Sequence, residues 1–148
     1  MLTNRTILFI DDEKYLLNYY IEAVEGAGYK AVFCSSADEG LAYIRDRHAE
    51  IDLIVLDIMM PTPKGAAASE TNDGLDTGIW LLQQARELIE EATIPVIVLS
   101  NRSKVTLESL VAERILLPDG LVLVATKTET AASALPNLVG RMYQRWKN

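Results

Sequence analysis

IDLIVLDIMMP, residues 51–61, decides the fold. Leu53 to Leu56 is an unbroken apolar run with no polar residue in alternation, which is how a strand reads when helices cover both of its faces in a parallel sheet. The run ends on Asp57, with Met59, Met60 and Pro61 just beyond. A carboxylate at the carboxyl end of such a strand sits where open α/β sheets bind their ligands.

Outward from this stretch the pattern recurs. Thr6 to Ile10, Ala31 to Phe33, Ile94 to Leu99 and Leu121 to Ala125 are further short β-rich runs, which makes five strands. Between the first two, Leu16, Leu17, Tyr20, Ile21 and Val24 follow helical spacing, and Gly26 and Gly28 supply a stop, so a helix is expected over about Lys14 to Ala27. Ser36 and Glu39 predict a capping box for a second helix, ending near His48 with Leu41 and Ile44 toward the sheet. A third, about Thr77 to Glu91, docks through Ile79, Leu81, Leu82, Ala85, Leu88 and Ile89, with Trp80 on its flank. Ser103 predicts the cap of a fourth through about Leu116, and Pro118-Asp-Gly120 turns into the last strand. The final helix starts near Ser133, because Pro136 is tolerated in a first turn and would break an interior. This alternation predicts a single α/β domain over residues 1–148, a five-stranded parallel sheet with right-handed crossovers placing helices on both faces.

One connection is out of proportion. Pro61 to Asp76 reads PTPKGAAASETNDGLD, a turn-rich, mildly acidic segment too long for an ordinary link in an α/β unit, and predicts a mobile flap or a disordered insertion.

Bulk properties exclude several classes. The 148 residues suit one domain, and 49% hydrophobic with 24% charged residues is an ordinary globular composition. A net charge of -7, from 14 basic and 21 acidic residues, argues against direct nucleic-acid binding. Met1 to Arg5 leads straight into an apolar strand, with no signal-like segment and no stretch of ~20 apolar residues, so a cytoplasmic protein without a membrane span is expected. Cys34 is the only cysteine and reads as a buried, inert thiol. His48 stands alone in a polar stretch and reads as solvent-exposed, with no partner for a zinc site.

The chemistry-bearing residues fall at strand ends. Asp11 and Asp12 follow the first strand, Asp57 the third, Ser100 the fourth, and Lys127 lies just past the fifth. On a parallel sheet these converge on one edge. Three clustered carboxylates repel, by about 4 kcal/mol for unit charges ~4 Å apart at an effective dielectric of ~20, so something positive must offset them. A hard divalent cation such as Mg²⁺ suits oxygen ligands and accepts phosphate oxygens. Asp57 suits nucleophilic attack on phosphorus to form an acyl phosphate, with Lys127 and Ser100 contacting the phosphoryl oxygens.

ILFIDDEKYL, DLIVLDIMMP, IPVIVLSN and VATK together resemble the response-regulator receiver domains of bacterial two-component signalling. That resemblance implies the flavodoxin-like order 2-1-3-4-5 shared by chemotaxis receivers. It implies Asp57 as phosphoacceptor, Asp11 and Asp12 as the acidic pair holding Mg²⁺ together with Asp57, and the backbone carbonyl of Met59 as a further ligand. Ser100 is then the hydroxyl switch residue and Lys127 the phosphate-contacting lysine. A histidine kinase or phosphotransfer protein is the implied phosphodonor, and a protein effector the implied listener. The molecule is then a switch with limited Mg²⁺-dependent self-phosphorylation and autodephosphorylation, not an enzyme with a turnover of its own.

Three departures stand out. Thr128 follows Lys127 where the family usually has proline. Val124 stands where many relatives carry an aromatic residue that turns inward on activation. The Pro61–Asp76 segment exceeds the family norm by roughly a dozen residues. Two other functions are weighed against a phosphorylated receiver. One is a phosphorylation-independent receiver-like docking domain, which no missing acid or lysine supports. The other is a haloacid-dehalogenase-type phosphohydrolase, whose second Asp, two residues after the nucleophile, is replaced here by Met59.

Overall fold

A computed structural model describes residues 5–147; Met1 to Asn4, expected to lead straight into the first strand, lie outside the described residues. Five strands, β1 (Thr6–Ile10), β2 (Lys30–Cys34), β3 (Leu53–Leu56), β4 (Val96–Ser100) and β5 (Val122–Thr126), form one sheet in the order β2-β1-β3-β4-β5. All four pairings are parallel. This is the doubly wound order that the sequence resemblance implies.

Four helices fill the crossovers, α1 (Lys14–Gly26), α2 (Ala37–Arg47), α3 (Thr77–Ala92) and α4 (Lys104–Arg114), and α5 (Leu135–Lys147) follows the last strand. Successive strand side chains point to opposite faces, so each strand feeds two cores. Ile7, Phe9, Leu53, Val55, Ile97 and Leu99 pack with Leu17, Tyr20 and Val24 of α1 and with Leu135, Val139 and Met142 of α5. Leu8, Ile10, Ile54, Leu56, Val96 and Val98 pack with Leu41 and Ile44 of α2, Ile79, Leu82 and Ile89 of α3, and Leu107 of α4. Leu107 is the one fully buried side chain of α4, which makes that helix the most lightly anchored of the five.

Helix starts follow local chemistry. Ser36 Oγ accepts from Glu39 N–H at 3.1 Å and caps α2. The Glu39 carboxylate reaches one residue further back than the expected box, accepting from Ser35 N–H at 3.2 Å. Ser103 Oγ accepts from Thr106 N–H and caps α4, which stops at Arg114 rather than Leu116. A short 3-10 turn, Ala132–Ala134, precedes α5, and Pro136 falls in its first turn.

The 61–76 segment is not the detached flap its composition suggests. Thr62 and Thr71 share a side-chain hydrogen bond of 2.7 Å, Asp73 N–H donates to Ala68 O at 2.9 Å, and Asp76 N–H donates to Thr71 O at 2.8 Å. Asn72, Asp73 and Gly74 all take positive φ, 51°, 55° and 93°, the left-handed conformation these residue types tolerate best. A Cβ at Gly74 would stand 2.8 Å from Met60 O, so the knot closes directly onto the Met60–Pro61 backbone that follows Asp57. Polar side chains and backbone hold most of the segment together, and its apolar part is small, with Pro63 buried and Ala66 against the core.

Trp80 departs from its expected place. It is buried on the α2–α4 side of the sheet, not on a flank, with Gly65 of the 61–76 segment against its ring. His48 is also corrected: it opens a 3-10 turn, His48–Glu50, that packs on α2 and α3 and leaves the imidazole half-buried. Its Nδ1 is buried with no hydrogen-bond partner among the described residues. Cys34 is buried as expected, and burial pushes its thiol up to about 11, which keeps it unreactive. No helix among the described residues is long and apolar enough to cross a membrane.

Candidate functional site

β1 and β3 are hydrogen-bonded neighbours, and their carboxyl ends bring the first acids together. Asp57 N–H donates to Ile10 O at 2.9 Å, so Asp11 and Asp57 leave the sheet side by side. One carboxylate oxygen from each of Asp11, Asp12 and Asp57 lies within 4.8 Å of the other two. Asp11 and Asp57 are buried, whereas Asp12 is exposed. Gly78 makes this approach possible, because a Cβ there would stand 2.5 Å from Asp57 O and 2.7 Å from Ile58 Cα. The start of α3 thus packs against the backbone that carries Asp57.

The donors arrive from β4 and β5. Ser100, fully buried, donates from Oγ to Asp57 Oδ1 at 2.8 Å, and Met59 N–H donates to the same oxygen at 3.3 Å. Lys127 Nζ lies 2.9 Å from Asp11 Oδ2 and 3.4 Å from Asp57 Oδ2. Lys127 N–H donates to Ser100 O at 2.9 Å, which locks the two donors to each other through the backbone. All five chemistry-bearing residues picked out at the strand ends therefore meet at one edge.

Electrostatics make the site short of positive charge. Burial, and then the neighbouring charge of Asp11, pushes the Asp57 carboxyl up to about 6 against the opposing pull of Lys127, Ser100 and the Met59 N–H. Asp12 is also raised, by burial first and by Asp11 and Glu13 next. Burial disfavours the Lys127 ammonium, but Asp57 and Asp11 outweigh it and the pKa rises. One ammonium serves three carboxylates. An all-oxygen donor set with an uncompensated negative charge fits a hard divalent cation such as Mg²⁺ and not a soft one.

A model of the response-regulator receiver domain matches residues 7–114. The chain belongs to the response-regulator receiver family. Membership implies two-component signalling, and the acidic pocket of Asp11, Asp12 and Asp57 fits the phosphoacceptor site of such receivers. Solved receivers agree across nearly the whole chain. The receiver domain of the Francisella response regulator 1452 is 25% identical, with a TM-score of 0.70 over 96% of this chain and 98% of that one. A CheY-like receiver from Methanospirillum hungatei JF-1 is 18% identical, with a TM-score of 0.72 over 97% and 96%. The receiver domain of the hybrid histidine kinase CckA is 22% identical, with a TM-score of 0.66 over 94% and 99%. No curated protein sequence matches the chain.

Two groups of functional interest escaped the sequence reading of this receiver. Asp76, at the end of the long segment, accepts from Arg102 at 2.6 Å and from Arg114 at 3.0 Å, so it ties the start of α3 to the connection before α4 and to the last residue of that helix. Tyr20 of α1 donates its hydroxyl to Thr130 O at 2.6 Å, with Lys127 O at 3.4 Å. Helical spacing places Tyr20 on the buried face and gives no hint that its hydroxyl meets the loop after β5.

Proposed function

We propose that this receiver takes a phosphoryl group on Asp57 from a histidine kinase or phosphotransfer protein and thereby changes its affinity for a protein effector. A single observation carries the reading: a buried Asp57 carboxylate held by Ser100 and Lys127 beside two further acids. A carboxylate oxygen of Asp57 attacks phosphorus, the P–N bond to the donor imidazole breaks, and an acyl phosphate forms while the imidazole leaves. Lys127 and Ser100 hold the phosphoryl oxygens, exchanging bonds to the Asp57 carboxylate for bonds to the new group. Asp11, Asp12, Asp57 and the Met59 carbonyl would hold Mg²⁺, which when bound screens the charge of the incoming phosphoryl group. Leu16 and Tyr19 of α1 are exposed beside Asn101 and Lys127 at this edge and offer the phosphodonor an apolar footing.

The signal leaves through the backbone after Ser100. Val124 is a short, buried side chain that has no aromatic ring to swing inward. Arg102 lies two residues beyond Ser100 and is bonded to Asp76, so motion at Ser100 pulls directly on the tie between α3 and the lightly anchored α4. Incubation with a small acyl phosphate and Mg²⁺ should add one phosphate to the native chain and none to Asp57→Asn or in excess chelator. Equal labelling of Asp57→Asn would remove the proposal. Hydrogen exchange with a phosphoryl mimic should change in residues 101–116 and 61–76; change confined to residues 121–125 would place the route elsewhere.

A further inference from the structure

Lys127 reaches the acids from a loop, not from a strand. β5 ends at Thr126, and residues 127–129 form a turn closed by Thr130 N–H donating to Thr126 O at 2.9 Å. The Lys127 backbone is fixed at its N–H by Ser100 O, but nothing within the turn binds its carbonyl side. Thr128, the next residue, lacks the ring that would fix φ, and it is exposed. The bonds inside the turn run from Thr128, Glu129 and Thr130 back to Thr126 and leave the Lys127 carbonyl to be held from outside, while the ammonium must stay within reach of Asp11 and Asp57.

A restraint comes from across the sheet edge. Tyr20 is anchored among Ile7, Phe9, Leu17 and Leu135 on the α1–α5 side and is 8% exposed. Its hydroxyl donates to Thr130 O at 2.6 Å and approaches Lys127 O at 3.4 Å, so a rigid ring from α1 spans both ends of the turn. Burial holds the phenol above its ordinary value, so it keeps the proton it donates. A ring with two side-chain torsions is a stiffer tether than any long polar side chain.

We propose that Tyr20 is a positioning residue for phosphoryl transfer, acting through Lys127 by tethering the 127–130 turn to α1. This rests on the reading of Asp57 as phosphoacceptor. Tyr20→Phe keeps the ring and removes only the hydroxyl. Mg²⁺-dependent labelling by a small acyl phosphate should slow about ten- to a hundredfold, the cost of a reacting group misplaced on the order of 1 Å. Mg²⁺ affinity should not change, because Tyr20 does not touch the acids. The same substitution in a Lys127→Ala background should have no further effect on labelling. A second readout is independent of phosphoryl transfer: the order parameter of the Lys127 Cε methylene, measured by ¹³C relaxation in the metal-free chain, should fall in Tyr20→Phe. Unchanged labelling together with an unchanged order parameter overturns the proposal, and so does equal slowing in the native and Lys127→Ala backgrounds. If the native chain takes up no phosphoryl group, the Asp57 reading fails, and the relaxation measurement alone then decides for or against Tyr20.

Discussion

Burying Asp57 beside Asp11 pushes its carboxyl up to about 6, from the ordinary aspartate value of 3.8. A carboxyl raised on folding favours the fold fully below the unfolded value, and that advantage is lost as pH rises through about 6. At neutral pH the ionised group therefore costs folding free energy on the order of 2–3 kcal/mol. In chelator, Asp57→Asn should be more stable than the native chain at pH 7 by that order and should lose most of the pH dependence between about 4 and 6. Urea midpoints over this range check it, and an unchanged slope in Asp57→Asn would assign the dependence to another group. Asp12 is exposed and contributes mainly charge, so Asp12→Asn should keep the fold while weakening Mg²⁺ binding; calorimetry would reject the ligand assignment if the affinity held. These residues were legible because each ends a strand, where sequence alone fixes position. Tyr20 was not, because a helical pattern assigns it to a core face and says nothing about which loop its hydroxyl meets.

At the level of elements, the unusual bond pattern is the one around Asp76. Its carboxylate is 8% exposed and its partners Arg102 and Arg114 are 21% and 32% exposed, so the pairs are partly shielded from water. Asp76→Ala should cost about 1–3 kcal/mol, the range for hydrogen bonds to charged groups. It should raise hydrogen exchange through residues 104–114, since Leu107, with Leu110 and Val111 only partly buried beside it, would then hold α4 to the core. Unchanged exchange there would show that the ion pairs do not restrain the helix. Trimming the 61–76 segment to a short turn should lower the melting temperature by several degrees, because Trp80 loses its cover and Asp76 its setting. The sequence announced this segment by length but misjudged it as loose. Composition reports apolar content, and what binds the segment is a threonine pair, a left-handed Asn-Asp-Gly turn and two arginines distant in sequence.

Across the whole molecule, the sheet order and both layers of helices were readable because apolar runs and helical spacing determine which faces must be covered. The separation of the two layers was not readable from any one helix; it follows from the period of two along each strand. That separation has a measurable result. Tyr20 acts from the α1–α5 side and Asp76 from the α2–α4 side, without shared partners. The stability losses of Tyr20→Phe and Asp76→Ala should add in the double variant to within about 0.5 kcal/mol. A larger departure in denaturant titrations would reveal coupling through the β4–β5 edge.

The strand order also has a temporal side. Asp11, Asp12 and Asp57 all belong to the β2-β1-β3 half of the sheet, and they leave the ribosome before Ser100, which ends β4, and Lys127, which follows β5. The half-sheet that can pair first therefore gathers three negative charges before either of its donors exists. Early assembly is opposed by the repulsion that the finished site tolerates, and the last two strands act as counter-charge as well as structure. A cation bound by the three acids while the chain is being made would then ease folding.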